Sequence, residues 1–264
     1  MQRFSALCLI VVCAATALPQ SPTTASPPAK TSEITQTGNL VRLTVKSARP
    51  LATALDVLQN KYGWSVDYED PQYLAKSDLV ESNDARYTNY TSGAHPRVPN
   101  GSAFSVDFPA GDAAGPDPEK TLKILIEAYN KTSNPGEFEL RIQGQRFDVV
   151  GIAAHDDSGK MKKQSPPLDA VVALSAQESL TVDAVTSVCD QISKLTSQNV
   201  GIGVYPQNVF NRPLKIVGAE KLPARDALSR IFATALPGKD KNISWRLFYD
   251  PDLQSYVMNL HLRR

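Results

Sequence analysis

Three residue types that usually carry chemistry or cross-links are scarce in this 264-residue chain: it has three cysteines, three histidines and three methionines. Cys8 and Cys13 lie in an N-terminal apolar run, so only Cys189 remains once that run is removed. That excludes an intramolecular disulfide, and the fold must rest on a hydrophobic core, which a chain of this length can supply. Cys189 sits on the apolar side of a predicted helix and reads as a small core residue rather than a nucleophile. His95, His155 and His261 have no partner at a fixed spacing and read as surface residues rather than general bases. No G-x-S-x-G, P-loop, H-E-x-x-H or C-x-x-C occurs, so the sequence supplies no catalytic residue, no cofactor and no metal site. The adjacent His155, Asp156 and Asp157 do not make a metal site, because neighbouring side chains in one loop do not converge.

Charge of one sign is missing too. The chain has 28 basic and 27 acidic residues, and loss of Arg3 with the N-terminal run brings the two into balance. No basic stripe stands out, which argues against nucleic-acid binding. One apolar run is present, Phe4 to Ala17 behind Arg3, and it ends in Ala15-Thr16-Ala17. Residues 1–17 therefore read as a signal peptide cleaved after Ala17, with a retained anchor as the alternative. The run is shorter than the roughly 20 residues that a membrane span needs. The expectation is a periplasmic or secreted protein with no integral membrane segment after cleavage.

What the chain does have is one α/β pattern written twice. Residues 18–38 are rich in Pro, Ser and Thr and read as a tether. The first unit, 39–154, opens on a strand at Leu40–Val45 and continues with a helix whose stripe is Leu51, Ala54, Leu55, Leu58 and Tyr62. Pro50 starts that helix and Gly63 ends it. Trp64, Val66 and Tyr68 alternate as a strand, as do Phe104, Val106 and Phe108. Asp117-Pro118 opens a second helix with Leu122, Leu125, Ile126 and Tyr129 inward. A hairpin closes the unit, with Phe138, Leu140 and Ile142 on one arm and Phe147 and Val149 on the other. A polar linker at 155–167 leads to the second unit, 168–264. There a strand at Val171–Leu174, a helix capped by Thr181, and strands at Val200–Val204 and Leu214–Val217 replay the order. A helix from Pro223-Ala224 and the arms Trp245–Tyr249 and Tyr256–Leu262 complete it. The fold class expected is α+β, as two small βαββαββ-type modules, each with two helices packed on short mixed sheets. The alternative is one mixed sheet that takes strands from both.

The run Ala48-Arg49-Pro50-Leu51-x-x-Ala54-Leu55-x-x-Leu58, followed by Tyr62-Gly63-Trp64-Ser65-Val66, resembles the short N-terminal domain of secretins and TonB receptors. Leu222-Pro223-Ala224-Arg225-Asp226-Ala227-Leu228 to Phe232 resembles that family's second helix. The resemblance covers residues 40–153 and, in outline, 169–262. It implies a non-catalytic envelope contact domain, here a possible tandem pair without a downstream pore or barrel. One departure is an extra loop at about 73–102. It carries Arg86, Tyr87, Tyr90, His95 and Arg97, residue types that favour binding hot spots, and these are the candidate contacts for an unidentified envelope partner. The acids Asp67, Glu69 and Asp70, and likewise Asp250 and Asp252, read as turn residues. The leading reading is an exported protein that docks through a sheet edge or the extra loop. The alternatives are a small hydrolase using a carboxylate pair, or a binder of a small ligand.

Overall fold

The computed structural model describes residues 32–82, 96–236 and 243–262. Strand β1 (Ser32–Thr37) precedes β2 (Leu40–Val45), which buries Val41, Leu43 and Val45 and turns Arg42 outward. Pro50 opens α1 (Pro50–Tyr62), and Gly63 closes it at φ 70°, a conformation that costs glycine nothing. β3 (Val66–Glu69) follows. The stretch expected to be an extra loop contains β4 (Leu79–Glu81) and β5 (Arg97–Pro99), an antiparallel pair. β6 (Phe104–Pro109) leads to α2 (Pro118–Asn130), where the Asp117 carboxylate accepts the Lys120 N–H at 2.9 Å. β7 (Glu137–Gln143) and β8 (Arg146–His155) form the expected hairpin, with Gly144 at φ 61° in a two-residue loop.

The second half runs β10 (Val171–Leu174), β11 (Glu178–Leu180), α3 (Thr181–Thr196), β12 (Asn199–Ile202) and the short α4 (Gln207–Phe210). It continues through β13 (Pro213–Lys215), β14 (Ala219–Pro223), α5 (Ala224–Ala235), β15 (Ile243–Asp250) and β16 (Ser255–Leu262). Leu180 rather than Thr181 stands at the cap of α3; the Thr181 hydroxyl instead donates to the Arg212 carbonyl at 3.3 Å. The strand expected over Leu214–Val217 ends at Lys215 and pairs with β11, and a further strand the sequence did not predict, β14, pairs with β10.

The two halves repeat one topology. In the first, β2 pairs antiparallel with β6, and β3 runs parallel to β8, the second arm of the β7–β8 hairpin. In the second, β10 pairs antiparallel with β14, and β12 runs parallel to β16, the second arm of the β15–β16 hairpin. The halves then join, because β15 pairs parallel with β3. The result is one sheet in the order β12-β16-β15-β3-β8-β7, with β9 (Met161–Lys163) added beside β8. Strand directions make the second half a half-turn of the first about the axis running across the sheet. Accordingly α1 and α2 cover one face over Val66, Tyr68 and Val149, while α3 and α5 cover the other over Trp245, Leu247 and Met258.

The fold is α+β, with strands of both halves in a shared sheet rather than in separate modules; the described residues form one compact unit. Two stretches expected to be unstructured are strands. Ser32–Thr37, assigned to the tether, is β1, because Ile34 reaches the core and Gly38-Asn39 closes a hairpin onto β2. The expected linker at 155–167 is the end of β8, a turn closed by Asp156, and β9 pairing back on Ala153–His155. No helix among the described residues is long and apolar enough to cross a membrane.

Candidate functional site

The joint between the halves gathers charge in the interior. Asp67, Glu69 and Asp70 have no exposure, and Asp148 has 1%. The turn reading of the first three is overturned: Asp67 and Glu69 lie inside β3, in a sheet covered on both faces, and each meets an arginine. Asp67 pairs with Arg146 and accepts the Trp245 N–H at 2.8 Å. Glu69 pairs with Arg225 at 2.7 Å and accepts the Leu168 N–H at 3.0 Å. Asp70 accepts from Arg49 and the Tyr68 hydroxyl at 2.7 Å each, and from the Tyr249 N–H at 3.0 Å. Arg49 also donates to the Tyr249 carbonyl, and its guanidinium lies over Phe248. The bonds to Trp245, Arg225, Leu168 and Tyr249 run between the halves, so the carboxylates in and just after β3 hold β15 and α5 in place.

Asp148 is the exception. It stands beside Asp67 in the parallel ladder, neither of its oxygens accepts a hydrogen bond from a protein group, and Arg225 Nη1 is 3.7 Å away. Burial, then the Asp67 charge, pushes its carboxyl up to about 7 against the pull of Arg225 and Arg146. Burial likewise raises Glu69, with Arg225 opposing. Two carboxylates with unlike environments are what acid–base chemistry requires. Here they are sealed, however, and a substrate has no path to them in this conformation.

Of the candidate contacts, Arg86, Tyr87, Tyr90 and His95 lie outside the described residues. Arg97 is engaged within the chain: its Nε meets Asp252 at 2.6 Å, its N–H donates to the same carboxylate, and Nη2 reaches the Pro251 carbonyl. Asp250 closes its own turn through the N–H groups of Asp252 and Leu253, as turn chemistry predicts. His155 meets the Asp78 carboxylate at 2.9 Å, a partner 77 residues away that spacing could not show. His261 is exposed on the last strand, and Cys189 is a core residue whose thiol burial pushes up to about 12.

Of the sheet edges among the described residues, three are compared as surfaces for contact: β7, β12 and β1. At the β7 end, the Asn130 side chain takes both the N–H and the C=O of Phe138, at 3.1 and 2.8 Å. At the β12 end, the Ser193 hydroxyl takes the N–H of Val200 at 2.9 Å and lies 3.4 Å from its C=O. The third edge is β1, in the order β1-β2-β6. Among the described residues no side chain hydrogen-bonds to the backbone of Ser32–Thr37, and α1 packs beside this strand. The two-residue loop makes Thr37 and Leu40 the closing pair, so Ser32, Ile34 and Gln36 turn their N–H and C=O groups away from β2. The outer face beside this edge carries the rows Glu33–Thr44–Ser105, Thr35–Arg42–Asp107 and Thr37–Leu40–Pro109. Arg42 grips Asp107 with two bonds of 2.7 Å, which lowers the carboxyl and raises the guanidinium. Shallow depressions of about 260 and 240 Å³ lie along these rows.

No family model, curated protein or solved structure matches the chain. The open edge escaped sequence reasoning because β1 has one apolar residue, Ile34, and follows a Pro-rich stretch. Gly38-Asn39 ahead of an alternating strand was the signal that could have revealed the hairpin.

Proposed function

We propose that this chain is an exported interaction protein that docks an extended segment of a partner along β1. The observation that carries this reading is that, among the described residues, no side chain bonds the outward backbone of β1, whereas Asn130 caps Phe138 on β7 and Ser193 caps Val200 on β12. Natural edges are blunted by Lys, Pro, bulges or covering groups. β1 has none of these and carries one charge, Glu33. A partner strand would gain main-chain bonds from Ser32, Ile34 and Gln36, and Thr35, Thr37 and the Arg42–Asp107 pair would select its side chains. Export rests on the N-terminal run, and the contact role accords with the family resemblance of the sequence. Acid–base chemistry at Asp67 and Asp148 has no route for substrate, so the hydrolase reading lacks support from the geometry.

Gln36→Pro tests this directly. The Gln36 N–H points away from β2, so proline there leaves the β1–β2 pairing intact and removes a donor from the open edge. In-cell crosslinking of the tagged chain should yield a discrete envelope adduct that Gln36→Pro loses while the fold is unchanged. An adduct that survives this substitution would move docking away from β1. The secreted form should begin at Leu18; retention of residues 1–17 in a soluble fraction would contradict export by cleavage.

A further inference from the structure

The internal joint and the two ends of the seven-stranded sheet use the same kinds of strand. β15 is the first arm of its half's hairpin, and it docks on β3, the strand after the first helix of the other half. β7 is likewise the first arm of its hairpin, and β12 likewise follows the first helix of its half. These two are the end strands of the sheet. The half-turn between the halves leaves β7 and β12 running in the same direction. A second copy, displaced along the sheet without rotation, would therefore set its β7 parallel to β12, as β15 lies parallel to β3.

The residues at the joined and the free edge differ in one consistent way. On the joined edge, the incoming chain satisfies the outward groups of β3. Arg246 Nη1 donates to the Val66 carbonyl at 2.8 Å, and the Leu247 carbonyl accepts the Asp70 N–H at 2.8 Å. Gln59, which follows Leu58 on the core stripe of α1, reaches across to Ser244 and Arg246. On the free edge, the residue after the core position Ile192 of α3 is Ser193, and it folds back onto Val200 of its own half. The N–H of Val204 is taken by the Asn259 side chain at 2.9 Å. Gly201, at the place that Asp67 holds on β3, offers no carboxylate to an incoming strand. Asn130 caps Phe138 of β7 in the same manner.

We infer that β7 and β12 are a matched pair of docking edges for a second copy of this chain, each blocked at one residue, Phe138 by Asn130 and Val200 by Ser193. Pairing of unlike edges does not close on itself, so open edges would let copies add without limit. The caps stop at one chain the strand pairing that joins its own halves. This inference is independent of β1.

The test uses the full mature chain in three samples: Ser193→Ala, which opens β12; Asn130→Ala, which opens β7; and their equimolar mixture. Sedimentation velocity should find wild type and each variant monomeric and the mixture shifted to a 1:1 dimer, since each partner offers one open edge. Adding Ile202→Pro to Ser193→Ala should abolish the shift. Far-UV circular dichroism checks folding, and Asn130→Asp, which loses the donor to the Phe138 carbonyl, replaces Asn130→Ala if that variant does not fold. A mixture of folded variants that stays monomeric, a shift that survives Ile202→Pro, or a wild-type chain that already pairs through these edges would overturn the inference.

Discussion

Asp148 and Arg225 show how the interior charge bears on stability. The Asp148 carboxyl, pushed up to about 7 by burial and the Asp67 charge, binds its proton more tightly in the folded chain than in the unfolded one. Its stabilising contribution is therefore complete below the ordinary aspartate range near pH ~4 and is lost as pH rises through about 7. Glu69, also raised, adds in the same direction. The lowered carboxyls Asp107, Asp156 and Asp252 act oppositely and below that window. Asp148→Asn should therefore flatten the fall in unfolding free energy from pH ~4 to pH ~7 measured by urea denaturation. An unchanged slope would mean that Asp148 does not carry it. Arg225 faces Glu69, Asp148 and Asp169 with 3% of its side chain exposed. Arg225→Ala strands buried carboxylates and should cost about 3–5 kcal/mol at neutral pH. A loss below ~1 kcal/mol, the scale of a surface pair, would contradict its place in the joint.

At the scale of elements, periodicity served well where one face of an element meets the core. The stripes of α1, α2, α3 and α5 and both hairpins follow from alternating or helical spacing of apolar residues. The Asp117 cap of α2 is legible in the same way, and Asp117→Ala should lower stability by about 1 kcal/mol in thermal or urea unfolding. What spacing could not show is partnership over distance. Asp67 and Glu69 look like the wet side of a half-buried strand, because their partners Trp245 and Arg225 lie 178 and 156 residues along the chain. Glycines hold similar information. A Cβ on Gly151 of β8 would stand 2.3 Å from the Pro71 nitrogen, where the chain leaving β3 crosses β8. Gly151→Ala should therefore cost about 1–3 kcal/mol through overpacking, a loss that an exposed glycine such as Gly144 would not predict from its surroundings.

For the whole molecule, the repeat expected from the sequence is present as topology, while the division into two separate modules gives way to a shared sheet. The joint supplies the reason: β3 and β15 each fill an edge that would otherwise be exposed in an isolated half. The same logic sorts the remaining edges. β7 and β12 are capped at Phe138 and Val200 by Asn130 and Ser193, whereas β1 presents its backbone outward and is the surface on which the proposed docking depends. Residue-resolved amide exchange on the isolated protein reads the β1, β7 and β12 edges at once, without knowledge of the partner. The account predicts that Ile34 and Gln36, which face away from β2, exchange without protection, while Thr35, Phe138 and Val200 are protected. Slow exchange at Ile34 and Gln36, or free exchange at Phe138 and Val200, would contradict it.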